Sequence, residues 1–174
     1  MQSNRTPQFV QLINLYSEYS QMSNFDPNSF LDGTTTEASV KRPPLPVGDY
    51  RATVGEPKAR PWQGKKDPTQ SGIALDMVLE IDISSHPELV NVYGTDKVGV
   101  NDSIMLDTTA AGSIDYSPGK NARLRRYREA TNLNTPGQAF APRMLQGRMV
   151  MVRVKHEVYE GEVYDKIESV AKIA

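Results

Sequence analysis

The sequence contains no cysteine, which excludes disulfide bonds, thiolate metal sites and a cysteine nucleophile. Histidine is nearly as scarce: His86 and His156 are the only two and have no HxxxH-type spacing, so we expect no histidine metal site. No stretch approaches the roughly 20 apolar residues of a membrane helix, and no signal-peptide pattern opens the chain. We therefore expect a soluble, intracellular protein without a cofactor or a bound metal.

Signatures of catalysis are missing as well. There is no GxSxG nucleophile elbow, and Gly64-Lys65-Lys66 lacks the preceding glycine and the following hydroxyl of a phosphate-binding loop. The carboxylates of Asp76, Glu80 and Asp82 recur at even spacing, which would permit Mg²⁺ binding, but solvation is the default for such residues and no raised pKa is implied. We expect no enzymatic activity.

An excess of one charge sign is also absent, because 20 Lys and Arg residues face 21 Asp and Glu residues. The signs are instead segregated along the chain. Residues 51–66, 120–128 and 143–155 are basic, whereas residues 76–115 are acidic with the single base Lys97. Such zoning predicts separate basic surfaces on a protein of nearly neutral net charge.

The N-terminal part differs in character from the rest. Residues 1–46 are predicted to form an arm and linker, because the stretch before residue 46 is polar and ends in a proline-rich run. Apolar residues at helical spacing predict a short helix at residues 7–20. The folded domain is predicted to span residues 47–174.

Alternating apolar residues predict five strands in this domain. The clearest alternation runs from Ile73 to Ile83, with one buried and one solvated face. Ser117-Pro118 supplies a helix start, and a helix is predicted over residues 118–132. The order of three strands, one helix and two strands is that of the five-stranded OB barrel, and we therefore expect a mainly β protein of this OB-like type. The predicted strands cover residues 48–54, 73–84, 98–106, 147–158 and 162–173.

The connection between the first two predicted strands contains the only tryptophan, Trp62, within the run KARPWQGKK. A planar side chain among cations suits an unpaired strand, since a base stacks on the ring while phosphates pair with the charges. The alternative without a binding role is a solvated loop whose tryptophan packs back onto the barrel. Polar and aromatic residues of the last two strands form a second predicted surface. The candidate nucleic-acid-binding residues are Arg51, Lys58, Arg60, Trp62, Lys65, Lys66, Arg153, Lys155, Tyr159 and Tyr164.

Four runs of sequence resemble a known family, namely FDPNSFLDGTTTEA, PPLPVGDYRATVG, KNARLRRYREATNLN and LQGRMVMVRVKHEVYEGEVYDKI. They are similar to phage-encoded OB-fold single-stranded-DNA-binding proteins, many of which are catalogued as uncharacterised. The resemblance extends from Met22 onward and leaves residues 1–21 outside. It implies support of phage DNA replication or recombination in the cytoplasm of an infected bacterium. The acidic C-terminal run of many such proteins is missing here, which puts partner recruitment by a tail in doubt.

Three functional interpretations remain open from the sequence. The first is sequence-tolerant binding of single-stranded DNA, and the second is a phage structural or adaptor protein whose barrel contacts other proteins. RNA binding is the third, since an OB groove accepts either strand chemistry. The arginine-rich helix is interpreted as solvated, as self-associating or as a secondary track for DNA.

Overall fold

The computed structural model describes residues 26–65 and 67–174, and it is mainly β. The helix predicted at residues 7–20 lies outside the described residues. The chain divides into two compact units, Met1–Lys41 and Arg42–Ala174. The described part of the first unit contains one short helix, α1 (Pro27–Leu31), whose first turn is capped by the side chain of Asp26.

The second unit contains an open antiparallel sheet of six strands and two further short helices. A single 3-10 turn, Pro142–Leu145, precedes the fifth strand. The strands are β1 (Gly48–Val54), β2 (Lys58–Gln63), β3 (Ser71–Asp82), β4 (Lys97–Leu106), β5 (Met149–Tyr159) and β6 (Glu162–Ala171). The helices are α2 (Pro87–Tyr93) and α3 (Ala122–Ala130).

Strand β3 organises the sheet. It pairs with β4 along one side, while on its other side β2 pairs with its first half and β1 with its second half. β1 continues the sheet to β5, and β5 pairs with β6. Gly55 separates β1 from β2 and is required there, because a Cβ atom at this position would lie 2.7 Å from the carbonyl oxygen of Val78. β1 and β2 therefore follow the same side of β3 on either side of a short break.

The core confirms the predicted alternation from Leu75 to Ile83, whereas Ala74, expected on the solvated face, is fully buried and Ile73 is only partly buried. Leu75, Met77, Leu79, Ile81 and Ile83 of β3 and its continuation are all buried. The inward positions of β4, β5 and α3 complete the same cluster. Each fully buried aliphatic side chain contributes about 1.5–3 kcal/mol relative to exposure, so this face specifies the register of the sheet. The core residues of those three elements include Val98, Val100, Ile104, Leu106, Val150, Val152, Val154, Leu124 and Tyr127.

A closed five-stranded barrel, the expectation from the strand order, is not what the described residues form. Strands β4 and β6 approach each other, but no backbone ladder joins them in the described part of the chain. The guanidinium of Arg123 on α3 bridges them instead. It donates to the carboxylate of Asp102 on β4 at 2.6 Å and to the carbonyl oxygen of Ile167 on β6 at 2.7 Å.

The loop predicted around Trp62 is a strand, which corrects the five-strand count to six. Lys58–Gln63 pairs with β3 from Lys58↔Asp76 to Gln63↔Ser71. β2 is an edge strand that pairs with β3 alone. Proline has no backbone N–H to donate and is tolerated in such edge strands, which explains Pro61. Cross-strand pairing thus overrides the local turn-like composition.

The predicted helix start is also displaced, since α3 begins at Ala122 rather than at Ser117-Pro118. Asn121 has a left-handed backbone with φ of 48°. Its side-chain amide donates to the carbonyl oxygens of Asp107 and Asp115 at 2.9 and 2.8 Å. A residue fixed in this conformation cannot continue a right-handed helix, so the helix starts after it.

The segment before β1 contributes to the second unit, although the sequence assigned it to the arm. Leu45 is fully buried, and its N–H donates to Asp165 at 2.7 Å. Its carbonyl oxygen lies 2.7 Å from Nε2 of His156. The turn predicted at Glu160-Gly161 is present, with φ values of 51° and 81° that suit a two-residue hairpin.

Candidate nucleic-acid interface

The outer face of β2 presents Lys58, Arg60 and Trp62 in alternation. Their cross-strand neighbours on β3 are Asp76, Ala74 and Gly72, respectively. Residues two apart on a strand share a face, so the two cations and the indole lie on one side of the sheet, opposite the core. Strand formation thereby aligns residues that a loop would leave independent.

Trp62 lies over a glycine. A Cβ atom at Gly72 would be 3.0 Å from Nε1 of the indole and 3.4 Å from Cε2, so the nitrogen-bearing edge of the ring rests on the bare backbone. Nε1 is buried and has no hydrogen-bond partner among the described residues. An unsatisfied buried donor costs about 1–3 kcal/mol, so the burial of Nε1 is unfavourable. The indole as a whole is only partly buried and is not sealed in the core.

A shallow groove of about 320 Å³ continues this face across β3. Its β2 edge is formed by Lys58 and Arg60, and its β4 edge by Asn101 and Ser103. Glu56, which precedes β2, also lines it. Asp76 is a second acid of the lining, so the groove combines two cations, two carboxylates and neutral polar side chains.

The outer face next to the indole is covered by side chains. β3 contributes Gly72, on which the indole rests, and Ala74, which is fully buried. On the neighbouring strand β4, Met105 lies opposite Ala74 and is 52% exposed. The ring of Trp62 and the side chain of Met105 are therefore the accessible apolar groups of this part of the face.

The charges of the groove are partly compensated. Arg60 forms an ion pair with Asp76, and Asp76 also accepts a hydrogen bond from the hydroxyl of Ser103. The Ser103 hydrogen bond, followed by that of Arg60, holds the pKa of Asp76 below its usual value. Lys58 and Lys65 are exposed and form no ion pair with any residue of the described part of the chain. Of these two lysines only Lys58 lines the groove, where Glu56 and Asp76 equal Lys58 and Arg60 in formal charge.

The remaining predicted residues lie on β1, β5 and β6, apart from Lys66. Arg51 is exposed on the outer face of β1, and Lys66 lies outside the described residues. Tyr159 is 58% exposed at the end of β5, and the hydroxyl of Tyr164 donates to Glu162. β5 and β6 pair with β1 and with each other, so the structure does not bring their predicted residues into a ladder with β2.

The cations of β5 are already matched by acids. Arg153 binds both carboxylate oxygens of Asp49, at 2.9 and 2.8 Å, and this hydrogen bonding holds the pKa of Asp49 below its ordinary range. Lys155 lies 3.6 Å from Glu168. The predicted basic surface on these strands is therefore largely neutralised within the sheet.

Several residues of the groove, and of the surface next to it, were not identified from the sequence. Asn101, Ser103 and Met105 occupy the outward positions of β4, and Gly72 is the seat of the indole. The alternation of β4 gave a signal for Asn101 and Ser103, which are polar and outward, but none for the apolar Met105, and the inward side itself includes the buried Asp102. Nothing in the sequence alone pairs Gly72 with Trp62.

Comparison with protein families matches no family model, and comparison with curated proteins finds no match. Among the described residues, no helix is both long and apolar enough to span a bilayer.

Proposed function

We propose that this chain is a sequence-tolerant single-stranded-DNA-binding protein that uses the groove over β2, β3 and β4. The observation that carries the proposal is the position of Trp62, which is partly exposed on the same outer face as Lys58 and Arg60. Such an arrangement is what an unpaired strand requires, because bases stack on aromatic rings while cations neutralise the phosphates. Duplex DNA offers no such base faces.

In the proposed complex one base stacks on the indole, and the phosphates on either side contact Lys58 and Lys65. The groove beside Lys58 and Arg60 leaves room for the backbone of the strand. Asn101 and Ser103 offer side-chain donors and acceptors along the far edge, and stacking itself does not distinguish bases. Sequence tolerance follows, because stacking on the indole and contacts of cations with phosphates do not depend on which base is present.

The fold interpretation belongs to the same proposal. β1 pairs with both β3 and β5, and the edge strands β4 and β6 approach each other. We infer an OB-like barrel in which the hydrogen bonds of Arg123, instead of a backbone ladder, connect β4 to β6. The sequence resemblance supports a role in phage DNA replication or recombination, in the cytoplasm of the infected bacterium.

The proposal is tested by fluorescence anisotropy with labelled oligothymidylate, a duplex and an RNA of equal length, each at two salt concentrations. We expect preference for the single strand, and Trp62→Ala should weaken binding by about 1–3 kcal/mol, the cost of one lost stack. Trp62→Phe is the matched control, since it retains a ring and most of the affinity. Equal affinity for duplex and single strand, or an unchanged affinity of Trp62→Ala, would contradict the stacking mechanism.

One observation favours a second candidate, a phage structural or adaptor protein. Val158 and Tyr159 on the β5–β6 hairpin are 69% and 58% exposed, and exposed apolar side chains on a neutralised surface suit protein contacts. This candidate predicts that the protein migrates with purified virions and does not retain nucleic acid at low salt. RNA binding is covered by the third arm of the anisotropy series.

A further inference from the structure

A second cavity, of about 230 Å³, lies where the loop after β4 meets α3. Its lining includes the ring of Tyr116, the backbone of Gly119 and three cations, Lys120, Arg125 and Arg128. Among the described residues, no carboxylate lines it. None of its residues lines the groove beside Trp62, so the two sites are separate.

Arg128 is the distinctive residue of this cavity. Its guanidinium lies 5.2 Å from the ring centre of Tyr116 and 4.5 Å from that of Phe140, and its Nε donates to the carbonyl oxygen of Leu133. The residue is half-buried, yet it forms no ion pair with any acid in residues 26–65 or 67–174. The guanidinium is held by two rings and one carbonyl oxygen, and its terminal N–H groups, which donate to no acceptor among the described residues, are available to an anion.

The other two cations are only loosely held. Lys120 lies 3.4 Å from Asp107, and Arg125 lies 3.5 Å from Glu129, with all four side chains about half exposed. Exposed ion pairs of this kind contribute little, so either cation can turn to a ligand at small cost. Tyr116 is 51% exposed at the rim and offers a flat ring next to the cations.

We propose that this cavity binds the phosphate group of a nucleotide unit. Arg128 and Arg125 donate to the phosphate oxygens, since guanidinium matches phosphate geometry, and Lys120 adds charge. The exposed ring of Tyr116 contacts the attached sugar or base. The phosphate belongs either to a free nucleotide or to the backbone of a strand. The site does not depend on the groove, because it shares no residue with it.

The test is a ¹H–¹⁵N NMR titration of the full chain, following the Gly119 amide and the Arg128 Nε–H. The three probes are inorganic phosphate, thymidine 5′-monophosphate and an oligothymidylate without terminal phosphates. We expect saturable shifts of both signals, absent when sodium chloride replaces the probe. Arg125→Gln should weaken the shifts several-fold, whereas Arg126→Gln should not, because Arg126 is exposed on the same helix but does not line the cavity.

The probes distinguish the sources of the phosphate. Shifts with the monophosphate but not with the oligonucleotide identify a nucleotide site, and shifts with the oligonucleotide identify a backbone contact. Persistence of the shifts in Trp62→Ala separates this site from the groove, whether or not the groove binds DNA. The proposal is overturned if no probe moves the two signals, or if Arg126→Gln weakens binding as much as Arg125→Gln.

Discussion

Among individual residues, Asp76 sets the charge of the groove. It lies between Lys58 and Arg60 on one side and Ser103 on the other, and it holds Arg60 in an ion pair. Its lowered pKa keeps the carboxylate charged down to acidic pH. Because the folded-state pKa is depressed, the contribution of Asp76 to stability is complete above about pH 4 and is lost as the pH falls through the lowered value.

Asp76→Asn should therefore strengthen binding of oligothymidylate. The substitution removes a negative charge from the groove and releases Arg60, so one more cation is available and the slope of log affinity against log salt should steepen by about 0.7. Asp82→Asn is the matched control, because Asp82 lies on the same strand but does not line the groove. Weaker binding by Asp76→Asn, in a salt series at neutral pH, would show that phosphates do not approach this position.

The residues of the candidate site were predicted in part. The association of Trp62 with nearby cations follows from the sequence, since all lie within a short run. The partners that neutralise the second surface do not, because Arg153 and Asp49 are 104 positions apart and only the pairing of β1 with β5 joins them. Long-range partners decide which cations are available to a ligand.

Among the strands and helices, α3 holds the open side of the sheet together. Asp102 is 6% exposed and accepts from Arg123 and from the hydroxyl of the buried Tyr127 at 2.6 Å. Burial, followed by the nearby carboxylate, raises the pKa of Tyr127 well above its usual value, so its hydroxyl remains a donor. One carboxylate therefore links β4 to α3, and Arg123 carries the link to β6.

Asp102→Ala should lower the free energy of unfolding by about 3–5 kcal/mol, because it leaves a partly buried guanidinium and a buried hydroxyl without their acceptor. The matched control is Asp49→Ala, which breaks an exposed pair with Arg153 and should cost no more than about 1 kcal/mol. Urea denaturation of both variants gives the comparison. Equal losses of unfolding free energy would mean that the bridge between β4 and β6 stabilises the fold no more than an exposed ion pair does.

Strand prediction succeeded where one face is apolar and failed where it is not. β3 and β5 alternate strictly and were located from sequence. β2 was missed because its residues are charged, and Pro61 disfavours a strand locally, so that only pairing with β3 forms it. The same limit applies to barrel closure, since a side-chain bridge from a helix cannot be deduced from strand order.

Over the whole molecule, the net charge of -1 is the sum of surfaces that differ in how far their cations are paired with acids. The groove beside Trp62 contains Lys58, which has no ion-pair partner in the described chain, while the cations of β5 and β6 are paired with carboxylates. Electrostatic attraction of a strand should therefore be local and strongly reduced by salt. The segregation of charge was visible in the sequence, but its compensation required the fold.

The most direct measurement is the emission of the single tryptophan during titration with oligothymidylate at low and at high salt. Stacking of a base on Trp62 predicts saturable quenching, with an affinity that falls as salt rises. Strand binding seen by anisotropy while the tryptophan emission stays unchanged would contradict the account, because the strand would then lie elsewhere on the protein.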